Sequence, residues 1–125
     1  KPRENNDFVV ERVVDGDTIK ISNGKVVRLL GIDAPEKNQK YYLEAKEQLE
    51  KIEGMKVRLE RDKKNKDEYG RLLRYVFVGK NFANLELVSY GYARAMIVKP
   101  NIKYEKEFLE AERLAKKSQL GIWKK

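Results

Sequence analysis

From Phe8 to Gly31 the chain reads FVVERVVDGDTIKISNGKVVRLLG, and two short turn signals inside this stretch decide the fold. Phe8–Val14 is rich in β-branched and aromatic residues, which suit a pleated, half-buried surface. Asp15-Gly16 marks a tight hairpin turn. Asp17–Ser22 follows as a second strand with Ile19 and Ile21 on one face. Asn23-Gly24 marks another tight turn, and Lys25–Gly31 is a third strand. The stretch predicts a three-stranded antiparallel meander.

Beyond Asp33-Ala34-Pro35 the period changes. Tyr42, Ala45, Leu49 and Ile52 recur at helical spacing, with Glu44, Lys46, Glu47, Glu50 and Lys51 on the other faces. Gly54 is placed to end this helix. Met55–Glu60 alternates, with Met55, Val57 and Leu59 inward, and reads as a fourth strand. Arg61–Glu68 is wholly polar and is expected to be a mobile loop. Arg71–Val78 reads as a fifth strand. Asn81 is expected to cap a helix running to Tyr90, and Ala93–Val98 to be extended. Asn101 is expected to cap a last helix whose buried stripe is Tyr104, Phe108, Ala111 and Ala115. Trp123 is expected to pack on the body of the domain. Five short strands with helices after the third and fifth predict an α+β, mainly β architecture, a five-stranded OB-fold barrel with three packed α-helices. Residues 1–6 are expected to be a disordered tail and residues 7–125 one domain.

Composition narrows the chemistry. The 125 residues contain neither cysteine nor histidine. Disulfides, thiol nucleophiles, Cys- or His-ligated zinc and Ser-His-Asp triads are therefore excluded. A general base must come from Asp, Glu, Lys or Tyr, and a bound metal is expected to be a hard, oxygen-liganded ion such as calcium or magnesium. The formal net charge of +8 attracts polyanions, although charge alone serves solubility equally well. No apolar run is long enough for a transmembrane helix.

The segment after the second turn, Val26–Glu36, carries three charges in an apolar background: Arg28, Asp33 and Glu36. Taken singly, each charge has a plain structural reading. Asp17 suits a turn, Glu36 suits a helix N-terminus, and the stems of Arg28 and Arg71 reach the rim of a sheet. Taken together they converge. In an antiparallel meander the start of strand two lies beside the end of strand three, which brings Asp17 near Asp33. Two carboxylates with a backbone carbonyl and water suit calcium. Arg28 and Arg71 suit bidentate phosphate recognition, and Glu36 lies within reach as a proton acceptor. A metal, a carboxylate base and two arginines fit phosphodiester hydrolysis.

Val14-Asp15-Gly16-Asp17-Thr18-Ile19, Arg28-Leu29-Leu30-Gly31-Ile32-Asp33-Ala34-Pro35-Glu36 and Asp67-Glu68-Tyr69-Gly70-Arg71 resemble the micrococcal (staphylococcal) nuclease family. The likeness extends through Asn84-Leu85-Glu86-Leu87-Val88, Gly91-Tyr92-Ala93, Lys99-Pro100-Asn101 and Gly121-Ile122-Trp123. The resemblance implies an OB-fold barrel with three helices. It implies a calcium-dependent endonuclease acting on single-stranded and duplex DNA and on RNA, with weak sequence preference, leaving 3′-phosphate ends. By the same resemblance Asp17, Asp33 and the Ala34 carbonyl would ligate Ca2+. Arg28 and Arg71 would bind the scissile phosphate, Glu36 would be the general base, and Tyr69 would contact a nucleotide phosphate. An extracellular or cell-surface monomer, its signal peptide removed, is expected.

The chain departs from the family pattern in three places. Glu68 stands where a lysine often precedes the tyrosine, Met96 and Val98 stand where the best-known member lines the base with tyrosines, and the loop after Glu36 is shorter. A second reading stays open, a catalytically weak or inactive OB-fold module that holds nucleic acid. The intact set Asp17, Arg28, Asp33, Glu36 and Arg71 argues for the enzyme, since a pure binder has no use for all five.

Overall fold

The computed structural model describes residues 7–125; the tail expected over residues 1–6 lies outside them. The meander forms as β1 (Asp7–Asp15), β2 (Thr18–Ile21) and β3 (Val26–Leu29). β1 pairs antiparallel with β2, and β2 with β3. β5 (Lys56–Glu60) and β6 (Leu72–Val78) form a second antiparallel pair. Two further contacts close the barrel. β5 pairs with the start of β1, and β3 runs parallel to β6 with Arg28 opposite Leu73. β1 serves both neighbours because its pairing with β2 is irregular between Val10 and Arg12 and again between Val13 and Asp15. Irregularities of this kind bend and twist a strand, as barrel closure requires. The result is the five-stranded OB-fold barrel that the sequence predicts.

Strand alternation fills the barrel. Val10, Ile19, Ile21, Val27, Leu29, Val57 and Val76 are all buried. Three helices pack around it: α1 (Tyr42–Glu50) against β1, α2 (Ala83–Ser89) against β6, and α3 (Glu105–Lys117) against α2. α1 buries Ala45 and Leu49, and α3 buries Phe108 and Ala115. Gly31 lets α3 come close. It has φ +81°, and a Cβ there would lie 2.3 Å from the Phe108 ring.

Several local expectations need correction. The third strand does not run to Gly31. It stops at Leu29, and a separate two-residue strand β4 (Ile32–Asp33) follows, paired with β8 (Arg94–Ala95). Met55 does not point inward; it precedes β5 and is exposed. Asn81 caps no helix, because it pairs with Val78 in β7 (Asn81–Phe82). Asn101 likewise does not cap α3, which begins at Glu105. Its buried side chain instead accepts from the N–H groups of Lys63 and Lys64 and donates to the Lys64 carbonyl. That grip changes the reading of the Arg61–Glu68 segment. It lacks regular structure, yet it is tied down by Asn101, by Tyr75 on Asp62, and by Leu73 N–H on the Asn65 carbonyl. Trp123 packs as expected, with the Arg94 guanidinium 5.0 Å and the Lys116 ammonium 4.7 Å from its ring centre.

Candidate active site

The β1–β2 turn and the successive strands β3 and β4 present their charged residues at one mouth of the barrel. Gly16, in that turn, is small for a packing reason. A Cβ there would lie 2.7 Å from the Ala45 methyl and 2.9 Å from the Ala34 methyl. The turn can therefore sit directly on the chain that carries Asp33 and Ala34. Asp17 closes this junction. Its Oδ2 accepts the Ala34 N–H at 3.0 Å, and its Oδ1 accepts the Thr18 hydroxyl at 3.0 Å.

Arg28 lies between the two aspartates. Its Nη2 is 3.4 Å from Asp17 Oδ2 and 3.7 Å from Asp33 Oδ1, and its Nη1 donates to the Leu29 carbonyl at 2.6 Å. The arginine and Asp17 side chains are nearly buried, whereas Asp33 is 49% exposed. Two carboxylates from different segments thus face one positive centre, with Asp33 open to solvent. The donors are all oxygens, which suits a hard cation that keeps part of its water shell. Among the described residues no group of three or more Asp or Glu side chains is placed to hold a metal, so the side-chain oxygens that this mouth offers are those of the pair.

Arg71 enters from the loop before β6. It shares a cavity of about 230 Å³ with Arg28, walled also by Asp67, Lys64, Met96 and Val98. Asp67 holds it there. Asp67 Oδ2 accepts from the Arg71 Nε at 2.7 Å, and Oδ1 accepts the N–H groups of Arg71 and Tyr69. Burial pushes the Asp67 carboxyl up, but the hydrogen bonds from Arg71 and Tyr69 outweigh it and hold the acid below its ordinary value. Tyr69 is 82% exposed, and its ring lies 5.4 Å from the Arg71 guanidinium. Glu68 lines the cavity and pairs with Lys64 at 3.4 Å.

Glu36 stands apart. It is exposed three residues beyond Asp33, in a turn fixed by Gln39, whose side-chain oxygen accepts the Glu36 N–H at 2.7 Å. The wall of the Arg28–Arg71 cavity does not include it. Direct contact therefore joins Asp17, Arg28 and Asp33, a shared cavity joins Arg71 to them, and Glu36 sits at the edge.

Sequence reasoning missed two supporting residues. In the sequence Asp67 reads only as part of the stretch Asp67–Arg71, with no role of its own. Its signal is the Asp three residues before a Gly, which suits a side-chain-stabilised turn. Asn84 reads in the sequence only as part of a helix. It is fully buried, accepts the Val76 N–H and donates to the Leu30 and Arg74 carbonyls, so it fixes the exit of β3 against β6 just before Asp33.

A family model described as staphylococcal nuclease homologue matches residues 26–125. The chain belongs to the staphylococcal nuclease family. It is 40% identical over 126 residues to the thermonuclease of Staphylococcus hyicus, covering 93% of this chain and 75% of that protein. It is 40% identical to the thermonuclease of Staphylococcus intermedius, covering 94% and 76%. It is also 42% identical to the SPbeta prophage-derived endonuclease YokF of Bacillus subtilis, covering 95% of this chain and 44% of the larger protein. Membership makes this OB-fold domain a nuclease, a hydrolase acting on nucleic acid.

Proposed function

We propose that the domain is a calcium-dependent endonuclease that hydrolyses DNA and RNA to leave 3′-phosphate ends. The observation that carries this reading is Arg28, seated between Asp17 and Asp33 and opening into the same cavity as Arg71. Asp17, Asp33 and the Ala34 carbonyl would hold the calcium ion, which supplies positive charge next to the phosphate when bound.

The other steps belong to the chain's own side chains. Arg28 and Arg71 each offer a guanidinium fork to the phosphate oxygens, and they gain most as charge builds on pentacoordinate phosphorus. Asp67 keeps the Arg71 fork in place. Glu36 takes a proton from the attacking water, whose oxygen bonds to phosphorus as the bond from phosphorus to the 5′ oxygen breaks, and the 5′ oxygen takes up a proton from solvent to leave as a hydroxyl. The new phosphate stays on the 3′ side. Tyr69 contacts a neighbouring phosphate from its exposed position. Met96 and Val98, both exposed on the cavity wall, offer no aromatic face to a base, which supports weak base preference. The reading includes action as a monomer outside the cell or at its surface, as the resemblance implies. Among the described residues no helix is long and apolar enough to cross a membrane.

Cleavage of single-stranded DNA by Glu36→Gln and by Arg71→Ala tests these roles. Each substitution is expected to lower the calcium-dependent rate by about two orders of magnitude or more while the fold persists. Full activity in both variants would overturn the assignment.

A further inference from the structure

A second basic hollow lies on the other side of Asp33. It encloses about 540 Å³, more than twice the volume of the Arg28–Arg71 cavity. Its wall carries the side chains of Lys40, Arg94, Lys124 and Lys125 against a single acidic side chain, Asp33. None of the four cations makes an ion pair among the described residues. Four like charges around one concave surface repel one another and draw in a polyanion.

The two hollows meet at the candidate site. Ile32 lines the Arg28–Arg71 cavity and Asp33 lines the larger hollow. Successive residues of a strand face opposite sides, so β4 forms the ridge between them. Arg28, in one wall, is 3.7 Å from Asp33, in the other.

The far wall is built, too. Arg94 is paired with Asp33 across β4 and β8, and its guanidinium rests on the Trp123 ring, which leaves it little freedom to lose on binding. Tyr41 adds a half-exposed aromatic ring. It does so with φ +69°, a left-handed conformation that is costly for a residue other than glycine and that gathers at functional sites.

We propose that this hollow is a second substrate track. It would hold the phosphates of a single-stranded nucleic acid on the side of the cut away from the Arg28–Arg71 cavity, with Tyr41 under a base. The proposal rests on the cut being made at Arg28, Asp33 and Glu36. A strand crossing the β4 ridge then places its scissile phosphate at Arg28 and its flanks in the two basic hollows. Lys40 and Arg94 neutralise phosphates as point charge and fork, and stacking on Tyr41 is tolerant of sequence.

Lys40→Glu combined with Lys124→Glu tests the track, because both side chains are exposed and neither contributes to the site around Arg28. Binding of a labelled dodecamer and of a trinucleotide is measured by fluorescence anisotropy in chelator over a range of salt. The double variant is expected to bind the dodecamer about tenfold more weakly, with a salt slope smaller by about 1.4, the value for two single-strand phosphates. Trinucleotide affinity, and trinucleotide cleavage in calcium, are expected to stay at the wild-type level. Unchanged dodecamer affinity and slope, or an equal loss on both lengths, would overturn the track. The milder Lys40→Ala with Lys124→Ala repeats the comparison should charge reversal disturb folding, which circular dichroism reports. Binding in chelator needs no catalysis. A chain that binds as predicted but cuts at the same rate in chelator therefore defeats the metal mechanism and leaves the track standing.

Discussion

Asp67 grips Arg71 at both backbone and side chain, through the Arg71 N–H at 2.9 Å and the Arg71 Nε at 2.7 Å. One carboxylate thus sets the loop before β6 and aims the guanidinium that this loop delivers. Asp67→Asn keeps an oxygen for the backbone N–H groups and removes the charge that holds Nε. It is expected to leave the fold intact and lower kcat/KM about tenfold, the scale of loss for a slightly misplaced group. Single-turnover cleavage with a thermal melt of the same sample checks this; an unchanged rate would show that Arg71 aims itself.

Arg28 is expected to give two effects of opposite sign. Its guanidinium stands 3.4 Å from Asp17 and 3.7 Å from Asp33, where it competes with any cation those carboxylates bind. Arg28→Met removes the competitor and the phosphate ligand together. Calcium is expected to bind about tenfold more tightly, by the same charge logic that shifts a carboxylate next to an arginine. Cleavage is expected to fall by about two orders of magnitude or more. Isothermal titration with calcium and a rate assay separate the two effects.

Stability is expected to fall on the acid side. The Glu60 carboxyl is pushed up by burial, but hydrogen bonds from Lys103, Tyr104 and Arg58 more than offset this and hold it below its ordinary 4.5. Asp67 is held below its ordinary 3.8. Both groups bind protons less readily folded than unfolded. Their contribution is therefore complete above the unfolded values and is lost as pH falls through the folded ones. Urea unfolding is expected to be nearly flat from about pH 5 to about pH 9 and to weaken below about pH 4. Glu60→Gln is expected to shallow that slope, and a slope unchanged by the substitution would remove Glu60 from the account.

Gly16 couples stability to activity. An added Cβ meets Ala45 at 2.7 Å and Ala34 at 2.9 Å, both on backbone that has little room to move. Gly16→Ala is expected to destabilise the domain by about 1–3 kcal/mol, the cost of overpacking. Because Ala34 adjoins Asp33 and donates to Asp17, cleavage is expected to fall as well, even well below the melting temperature. Gly24→Ala is the control. Its Cβ meets nothing within 4 Å, so it costs only backbone strain far from Asp33.

The barrel was legible in the sequence because its signals are local. Asn23-Gly24 gives a tight turn with Gly24 at φ +85°, and the alternation of β2 puts Ile19 and Ile21 inside. The Arg28, Asp17 and Asp33 cluster was legible for a related reason, since antiparallel pairing places the start of one strand beside the end of the next. Errors arose where an asparagine serves backbone other than the start of a helix. Asn81 and Asn101 look like helix caps because Asn often is one. In the fold Asn81 pairs with Val78, and Asn101 holds backbone from the loop around Lys63 and Lys64, a long-range relation that no local pattern carries. The Arg61–Glu68 segment reads as loose for the same reason: its anchors, Asn101 and Tyr75, lie outside it.

The central claim, that Asp17 and Asp33 hold a calcium ion required for cutting at Arg28, is tested most directly by one assay. Single-stranded DNA cleavage is followed in calcium, then in chelator, then after calcium is restored, with Asp33→Asn in parallel. The account predicts that cutting stops in chelator, returns with calcium, and in Asp33→Asn needs a much higher calcium concentration. Equal rates in calcium and in chelator would contradict it.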